Sequence, residues 1–276
     1  MTILCYHTIE PHWDQTLAIT PAQFEGQCRW LAAHRDVRPL GDAVAALDHT
    51  FRPTGRLSAI TFDDGWRGVY DHAWPILRRF GLPFTVFVVA DTVTSPSRAV
   101  DWVKDPPAQP LEVLTADQLR EMHAGGADIA SHSLRHADLT TLGFEACVGD
   151  LIESREILED LLRTQVRTVA YPSGRHDDDV RRAAQAAGFE AAFTLPERFE
   201  PTGRFAIPRV GVYPGNSTRT LWLKTRRRYL DLRLSPTYHA ARRLMSRVAR
   251  RAPTAHARRA ERDPQLVADL PPGDSH

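Results

Sequence analysis

Hydrophobic positions along the chain follow two alternating rhythms. Short β-rich runs are each followed by a stretch in which apolar side chains recur every three or four positions, the signature of parallel βα units. Ile3–His7 is the first predicted strand. Thr20-Pro21-Ala22-Gln23 then supplies an N-cap, a proline at the first helical position and a capping-box glutamine; Phe24, Cys28 and Leu31 give the helix that follows one apolar face. Leu57–Phe62 is a second strand, followed by a helix carrying Val69, Ala73, Ile76, Leu77 and Phe80. Pro83–Ala90 is apolar without interruption, which predicts a strand buried on both faces.

Asp91–Pro110 has four prolines and no period, and predicts a loop over one rim. Thr115-Ala116-Asp117-Gln118 opens another capped helix. Ala127–Ser133, Val166–Pro172 and Ala191–Thr194 continue the strands, separated by helices near Phe144–Leu162 and Asp179–Ala187. About seven strands alternating with helices over roughly 210 residues predict a closed (β/α) barrel, with an open doubly wound sheet as the alternative.

Composition excludes several classes. The chain of 276 residues is 42% hydrophobic and 25% charged, ordinary for a globular protein, and has no apolar run near the roughly 20 residues that span a bilayer. Three cysteines, Cys5, Cys28 and Cys147, are odd in number and lack CxxC spacing, so a disulfide framework or zinc knuckle is not predicted. No basic segment precedes a long apolar core at Met1–His7, and the expectation is cytoplasmic residence.

The formal net charge of +1 is a cancellation. Arg219–Arg262 holds 14 basic residues against two acidic ones, +12, which leaves −11 for the remainder. The two regions therefore suit different partners.

In barrels of parallel strands the chemistry collects at the carboxyl ends of the strands. Four such ends are polar here. Strand one ends in Tyr6-His7, the second runs into Asp63-Asp64-Gly65-Trp66, the fourth into Ser131-His132-Ser133-Leu134-Arg135-His136, and the fifth into Tyr171-Pro172-Ser173-Gly174. Adjacent buried carboxylates repel each other and are costly to desolvate; a cation relieves one of them and leaves the other free to act as a base. Asp-Asp-Gly by itself also fits a turn that merely ends a strand. His132 and His136, four residues apart, share one face of a helix or tight turn. With Asp64 they would make a His₂-carboxylate set that leaves positions open for water and substrate.

Together, Thr61-Phe62-Asp63-Asp64-Gly65, Ser131-His132-Ser133-Leu134-Arg135-His136 and Ala170-Tyr171-Pro172-Ser173-Gly174 resemble the successive motifs of the polysaccharide deacetylase family, the NodB-homology domains of carbohydrate esterase family 4. The resemblance covers roughly residues 1–213. It implies a distorted (β/α)7 barrel at 1–215 and metal-dependent N-deacetylation of an N-acetylated sugar, with zinc, or else cobalt or nickel, as the divalent ion. Carried over by motif, Asp63 is the catalytic base, and Asp64, His132 and His136 hold the metal. Two departures stand out. Many members have an arginine where this chain has Ala170, and no histidine between His176 and His239 matches the late general-acid motif. Leu4-Cys5-Tyr6-His7 is similar to a permuted branch, which includes biofilm poly-N-acetylglucosamine deacetylases, where the acid comes from the first strand; that likeness assigns the acid to His7. A buried histidine satisfied by a backbone carbonyl is the plain alternative.

Tyr171, Pro172 and Ser173 are candidate substrate contacts, through a backbone N–H that faces the developing oxyanion. Arg209 could orient Asp63 or touch substrate in place of the missing arginine. Trp66, Trp102 and Trp74 are candidate sugar-stacking surfaces. Non-sugar amide hydrolysis and an inactive sugar-binding scaffold are the competing functions. Past the barrel, residues 216–251 predict a basic amphipathic helical extension. Its arginines, interleaved with Trp222 and leucines, fit an anionic membrane surface or packing on the barrel better than nucleic acid. That suggests a lipid-linked sugar substrate and a peripheral position on the inner face of the membrane. Residues 252–276 predict a disordered tail.

Overall fold

The computed structural model describes residues 1–13, 16–47, 56–95, 100–103, 106–108, 110–196 and 200–238. Eleven strands and nine α-helices follow one another among these residues, with short π or 3₁₀ turns at Val69–Ala73, Leu139–Thr141 and Pro172–Gly174. They are β1 Thr2–Tyr6, β2 Thr8–Ile9, β3 Ala18–Ile19, α1 Pro21–His34, β4 Asp36–Val37, α2 Leu40–Ala45, β5 Leu57–Phe62 and α3 Trp74–Phe80. Next come β6 Thr85–Val88, α4 Asp91–Thr94, α5 Ala116–Ala124, β7 Asp128–Ser131, α6 Phe144–Leu162, β8 Thr168–Ala170 and α7 Asp178–Ala186. The last are β9 Ala191–Thr194, β10 Ile207–Pro208, β11 Val210–Gly211, α8 Thr218–Lys224 and α9 Arg227–Arg233.

The local signals act as physical chemistry requires. Thr20 caps α1 by accepting from the Gln23 N–H, with Pro21 at the first helical position. At α5 both bonds of the capping box form between Thr115 and Gln118. The rim segment predicted as loop from Asp91 instead begins with one helical turn, α4. Its Thr92 hydroxyl donates to the Val89 carbonyl and helps satisfy the turn.

The main sheet is parallel, in the order β10-β9-β8-β7-β6-β5-β1-β11, with β4 branching from β5. Its two ends are one stretch of chain. Ile207 and Pro208 pair with Phe193 and Thr194 of β9, and two residues later Val210 and Gly211 pair with Leu4 and Cys5 of β1. Ile207–Gly211 therefore closes the sheet on itself as a seventh barrel strand, with Arg209 at the switch between its two partners. This is a distorted (β/α)7 barrel.

Side chains on a strand alternate between faces. Leu4, Tyr6, Ile60, Phe62, Val86, Val88, Ile129 and Val169 join the large cluster under the helices, while Ile3, Ala59, Phe87, Ala130, Phe193 and Ile207 form a smaller one that fills the barrel. Alternating alanines with Phe87 and Phe193, whose rings lie 5.6 Å apart, packs that narrow interior. Two and four residues further along stand the polar groups: Cys5 and His7 beyond Ile3, Thr61 and Asp63 beyond Ala59, and, two residues on, His132 beyond Ala130. Apolar packing at the bottom and chemistry at the top are one alternating pattern.

The first compact unit runs from Met1 to Leu234 and includes α8 and α9. Leu221, Leu230 and Leu234 are buried. Lys224 donates to the Gly211 carbonyl at 2.7 Å and to Asn216 Oδ1 at 2.6 Å, and the Asn216 carbonyl accepts from the Gln23 and Gln27 amides of α1. The basic sequence thus begins as two short docked helices. The second unit, Ser235–His276, is described only to Tyr238; the expected helix up to residue 251 and the expected tail at 252–276 otherwise lie outside the described residues.

Candidate metal and catalytic centre

The loops at the strand ends are bent by unusual backbone. Asp64, Ser133, His136 and Ser173 all have positive φ, between 55° and 72°. A side chain in that region costs about 1–2 kcal/mol, so four such residues around one cavity are strain held by the surrounding structure. Asp64 and Gly65, both at φ 72°, fold the chain back over the end of β5. His132 and His136 come together in a tight turn, not on a helix. The Ser133 hydroxyl accepts from the His136 N–H at 3.0 Å, Ser131 Oγ accepts from the Ser133 N–H at 3.2 Å, and Asp150 accepts from the Leu134 N–H at 3.0 Å. At the third motif, Gly174 has φ 68° and a Cβ there would stand 2.4 Å from the Leu195 nitrogen, so only glycine fits.

Asp64 Oδ1 lies 3.4 Å from His132 Nε2 and 3.3 Å from His136 Nε2. Donors bonded to a tetrahedral zinc ion at about 2.0–2.2 Å stand roughly 3.3–3.6 Å apart, so these separations already match two edges of such a site. The Ala170 carbonyl, which can only accept, takes the Nδ1–H of His132 at 2.8 Å. That bond fixes the tautomer and turns Nε2 toward Asp64, as a metal-ligating histidine requires. His136 stacks against Trp102, ring centroids 5.2 Å apart. Trp66 donates from its indole nitrogen to the other Asp64 oxygen at 2.9 Å. Burial alone would raise the Asp64 carboxyl, but hydrogen bonds from His132 and His136 hold it well below the usual range.

Asp63 is 4% exposed and gripped by Arg209 through two parallel bonds, 2.6 Å to Oδ1 and 2.8 Å to Oδ2. Arg209 is itself buried, stacks over the Phe87 ring at 5.1 Å and donates to Thr61. Burial pushes the Asp63 carboxyl up, and the charges of Arg209 and His132 outweigh it and bring it down to about 2. The Cys5 thiol, kept protonated chiefly by burial, donates to Asp63 Oδ2 at 3.3 Å. Cys5, His7 and Asp63 form a second group with ligand atoms within 4.8 Å of one another, but Arg209 already provides the cation at that carboxylate. His7 Nδ1 is buried with no hydrogen-bond partner, and burial lowers the His7 pKa against the attraction of Asp64 and Asp63.

His7, Asp63, Asp64, His132 and His136 line one cavity of about 260 Å³. The stretch that carries most of these residues has a counterpart in known proteins. The polysaccharide deacetylase family model matches residues 52–192, half of the chain, and includes Asp63, Asp64, His132, His136 and the Tyr171–Gly174 motif. The chain belongs to the polysaccharide deacetylase family.

Relatives extend this kinship beyond the matched stretch. The Bacillus subtilis protein YxkH, named after the same family, is 26% identical over 221 residues, 79% of this chain and 73% of its own. A poly-beta-1,6-N-acetyl-D-glucosamine N-deacetylase of Staphylococcus aureus is 25% identical over 70% of this chain and 67% of its own. Among solved structures, IcaB from Ammonifex degensii superimposes with a TM-score of 0.64 at 25% identity, covering 85% of this chain and 97% of its own. The Streptococcus pyogenes deacetylase PplD, at 22% identity, shares the fold with a TM-score of 0.68 over 81% of this chain and 96% of its own.

Not every residue expected at this deacetylase site faces the cavity. Trp66, expected as a stacking surface, is 1% exposed; its indole serves Asp64, and its place against sugar is corrected accordingly. Tyr171 is fully buried, donates its hydroxyl to the Phe205 carbonyl at 3.0 Å and gives its N–H to the Phe193 carbonyl. Pro172 is buried in the turn, which leaves Ser173 as the member of that trio lining the cavity. Arg209 is hydrogen-bonded to Asp63 and does not line the cavity. Trp102 does line it, whereas Trp74 is buried under the helices. Trp13 and Leu195 also line it, and sequence reasoning passed over both because neither belongs to a motif.

Trp66→Phe should keep the ring packing and remove the donor to Asp64. Outer hydrogen bonds to metal ligands are worth about 10–100-fold in affinity. Competition with a chromogenic chelator is expected to show metal binding weakened about tenfold with the folded signal unchanged; unaltered affinity would exclude this role for the indole.

Proposed function

We propose that this protein is a metal-dependent N-deacetylase that hydrolyses the acetamide of an N-acetylated amino sugar, releasing acetate and a free amine, in exopolysaccharide or glycolipid synthesis. One observation carries the reading: a His₂-carboxylate set at metal-ligand spacing shares a cavity with a second carboxylate that a buried arginine holds ionised. Asp64, His132 and His136 would hold the ion. Two imidazoles and a carboxylate suit zinc first, with cobalt or nickel possible.

An amide is a poor electrophile, and its amine departs only when protonated. A bound divalent ion would lower the pKa of water and polarise the acetyl carbonyl. Asp63, ionised at neutral pH, takes the proton of the attacking water, and Arg209 fixes the direction of its carboxylate. Thr61 and Cys5 hold the same pair from the barrel side. His7 donates a proton to the departing sugar nitrogen; burial makes its imidazolium a stronger acid toward that nitrogen. Trp13, Trp102 and Leu195 give the cavity apolar walls that suit the acetyl methyl and the sugar face.

Acetate release from poly-β-1,6-N-acetylglucosamine, and from other N-acetylated oligosaccharides, tests the function directly. Release that requires the metal supports it, and no release from any of them would refute it. In His7→Ala, kcat should fall by roughly 10² or more, the contribution of a positioned acid. Undiminished turnover would remove His7 from the mechanism.

We also propose that the enzyme works at the inner face of the membrane on a lipid-linked sugar. Trp222, Leu223 and Leu232 are 40%, 49% and 54% exposed, and the exposed Arg219 of α8, Arg228 of α9 and Arg226 between the two helices accompany them. Apolar and cationic groups together suit anionic headgroups. Full-length protein should float with anionic liposomes and a Trp222→Glu/Leu223→Glu/Leu232→Glu variant should not; equal flotation would exclude this surface.

A further inference from the structure

A second cavity, of about 210 Å³, shares Trp13 with the catalytic one. Trp66 also lines it and meets Trp13 edge to face, ring centroids 6.0 Å apart. Its wall carries three carboxylates, Glu10, Asp71 and Glu112, and one guanidinium, Arg67. Arg67 bridges Asp71 at 3.0 Å and also pairs with Glu112. That leaves Glu10 without a guanidinium or ammonium partner; the His72 imidazole, which does not line the cavity, acts on it only through its charge. Its carboxylate accepts one hydrogen bond, from the Thr8 hydroxyl at 3.3 Å, and forms no ion pair among the described residues.

Glu10 is also half-buried. Burial raises its pKa, with Asp71 and Glu112 pushing the same way and His72 opposing them. A carboxylate held in a concave wall without a cation is costly unless a ligand brings one. A second, independent group points to the same kind of ligand. Trp13 is 8% exposed, and its indole N–H, in the wall common to both cavities, finds no acceptor. A donor without an acceptor, the indole ring of Trp13 and an unmatched carboxylate together offer partners for a hydroxyl, for a C–H face and for an ammonium group. An amino sugar carries all three.

We propose that this second cavity binds the protonated amine of a de-N-acetylated sugar unit that neighbours the unit whose acetamide lies in the catalytic cavity, with Glu10 as its anchor. The inference rests on the N-deacetylase reading, because the amine it recognises is the product of that reaction. An intact acetamide is neutral and gains nothing from Glu10. A chain that has already lost some acetyl groups therefore binds better than a fresh one, and the enzyme works preferentially next to its own product.

The test compares β-1,6-linked N-acetylglucosamine hexamers, fully acetylated and half de-N-acetylated, as substrates at low ionic strength. The wild type should show kcat/KM per acetyl group roughly fivefold higher on the half-processed hexamer, the size of one partly exposed ion pair. That ratio should fall to about one in Glu10→Gln and shrink with added salt. A wild-type ratio near one, or a ratio retained in Glu10→Gln, would overturn the proposal. Calorimetric binding of the fully de-N-acetylated hexamer needs no turnover and separates the two claims. Binding weakened by Glu10→Gln, in a protein that deacetylates neither hexamer, would leave the cavity assigned and the proposed reaction wrong. Binding unaffected by Glu10→Gln would exclude the cavity whatever the reaction.

Discussion

Asp63→Asn should lower acetate release by about 10³-fold while the protein still takes up metal at Asp64, His132 and His136. An amide cannot accept the proton of the attacking water, and a positioned base is worth about 10²–10⁴ in rate. The variant also leaves Arg209 buried against a neutral partner. Breaking a buried ion pair from one side costs about 3–5 kcal/mol, so a lowered melting temperature is expected alongside the lost activity. The two effects separate in Asp63→Asn/Arg209→Met. Removing both charges should restore much of the stability, since an apolar replacement of a buried pair is often neutral, and should restore no activity. A double variant that regained turnover would show that Asp63 serves the fold alone.

In Asp64→Ala the loss should fall on the metal itself. Stripped wild-type protein given zinc at about 100 times its dissociation constant gains about 2.7 kcal/mol of stability. For a unit of this size that corresponds to a melting temperature roughly 5–10 °C higher. Asp64→Ala should show no such rise and no retained metal, because it removes the carboxylate oxygen that stands at ligand spacing from both His132 and His136. A full equivalent of metal kept by Asp64→Ala would refute the ligand set.

How far the sequence announces this arrangement depends on the range of each interaction. The βα alternation and the caps at Thr20 and Thr115 are local, and the barrel class follows from them. Asp63-Asp64 and His132…His136 are legible for the same reason: each pair is close in sequence and sits where a strand stops. The turn that joins the two histidines is less so. It needs left-handed backbone at Ser133 and His136, which only the completed cavity imposes.

Arg209 reaches Asp63 across 146 residues, a contact that only barrel closure brings about and that no local pattern announces. The closing strand is itself nearly invisible to periodicity, since it offers two residues to each neighbour. Trp66 reads as an exposed aromatic after a strand, yet hydrogen bonding to Asp64 draws it inside. Trp13 carries no pattern at all. The leucines of α8 and α9 fit both a membrane and the barrel; Leu221 and Leu230 pack inward while Leu223 and Leu232 face out, so one pattern serves both sides.

The most direct test of the central claim is a titration of metal-stripped protein with zinc while acetate release from an N-acetylated glucosamine oligomer is followed. The account predicts no release from the stripped protein and a rise that levels off at one equivalent, with Asp64→Ala flat throughout. Sustained release from stripped protein, or a rise in Asp64→Ala equal to that of the wild type, would contradict it.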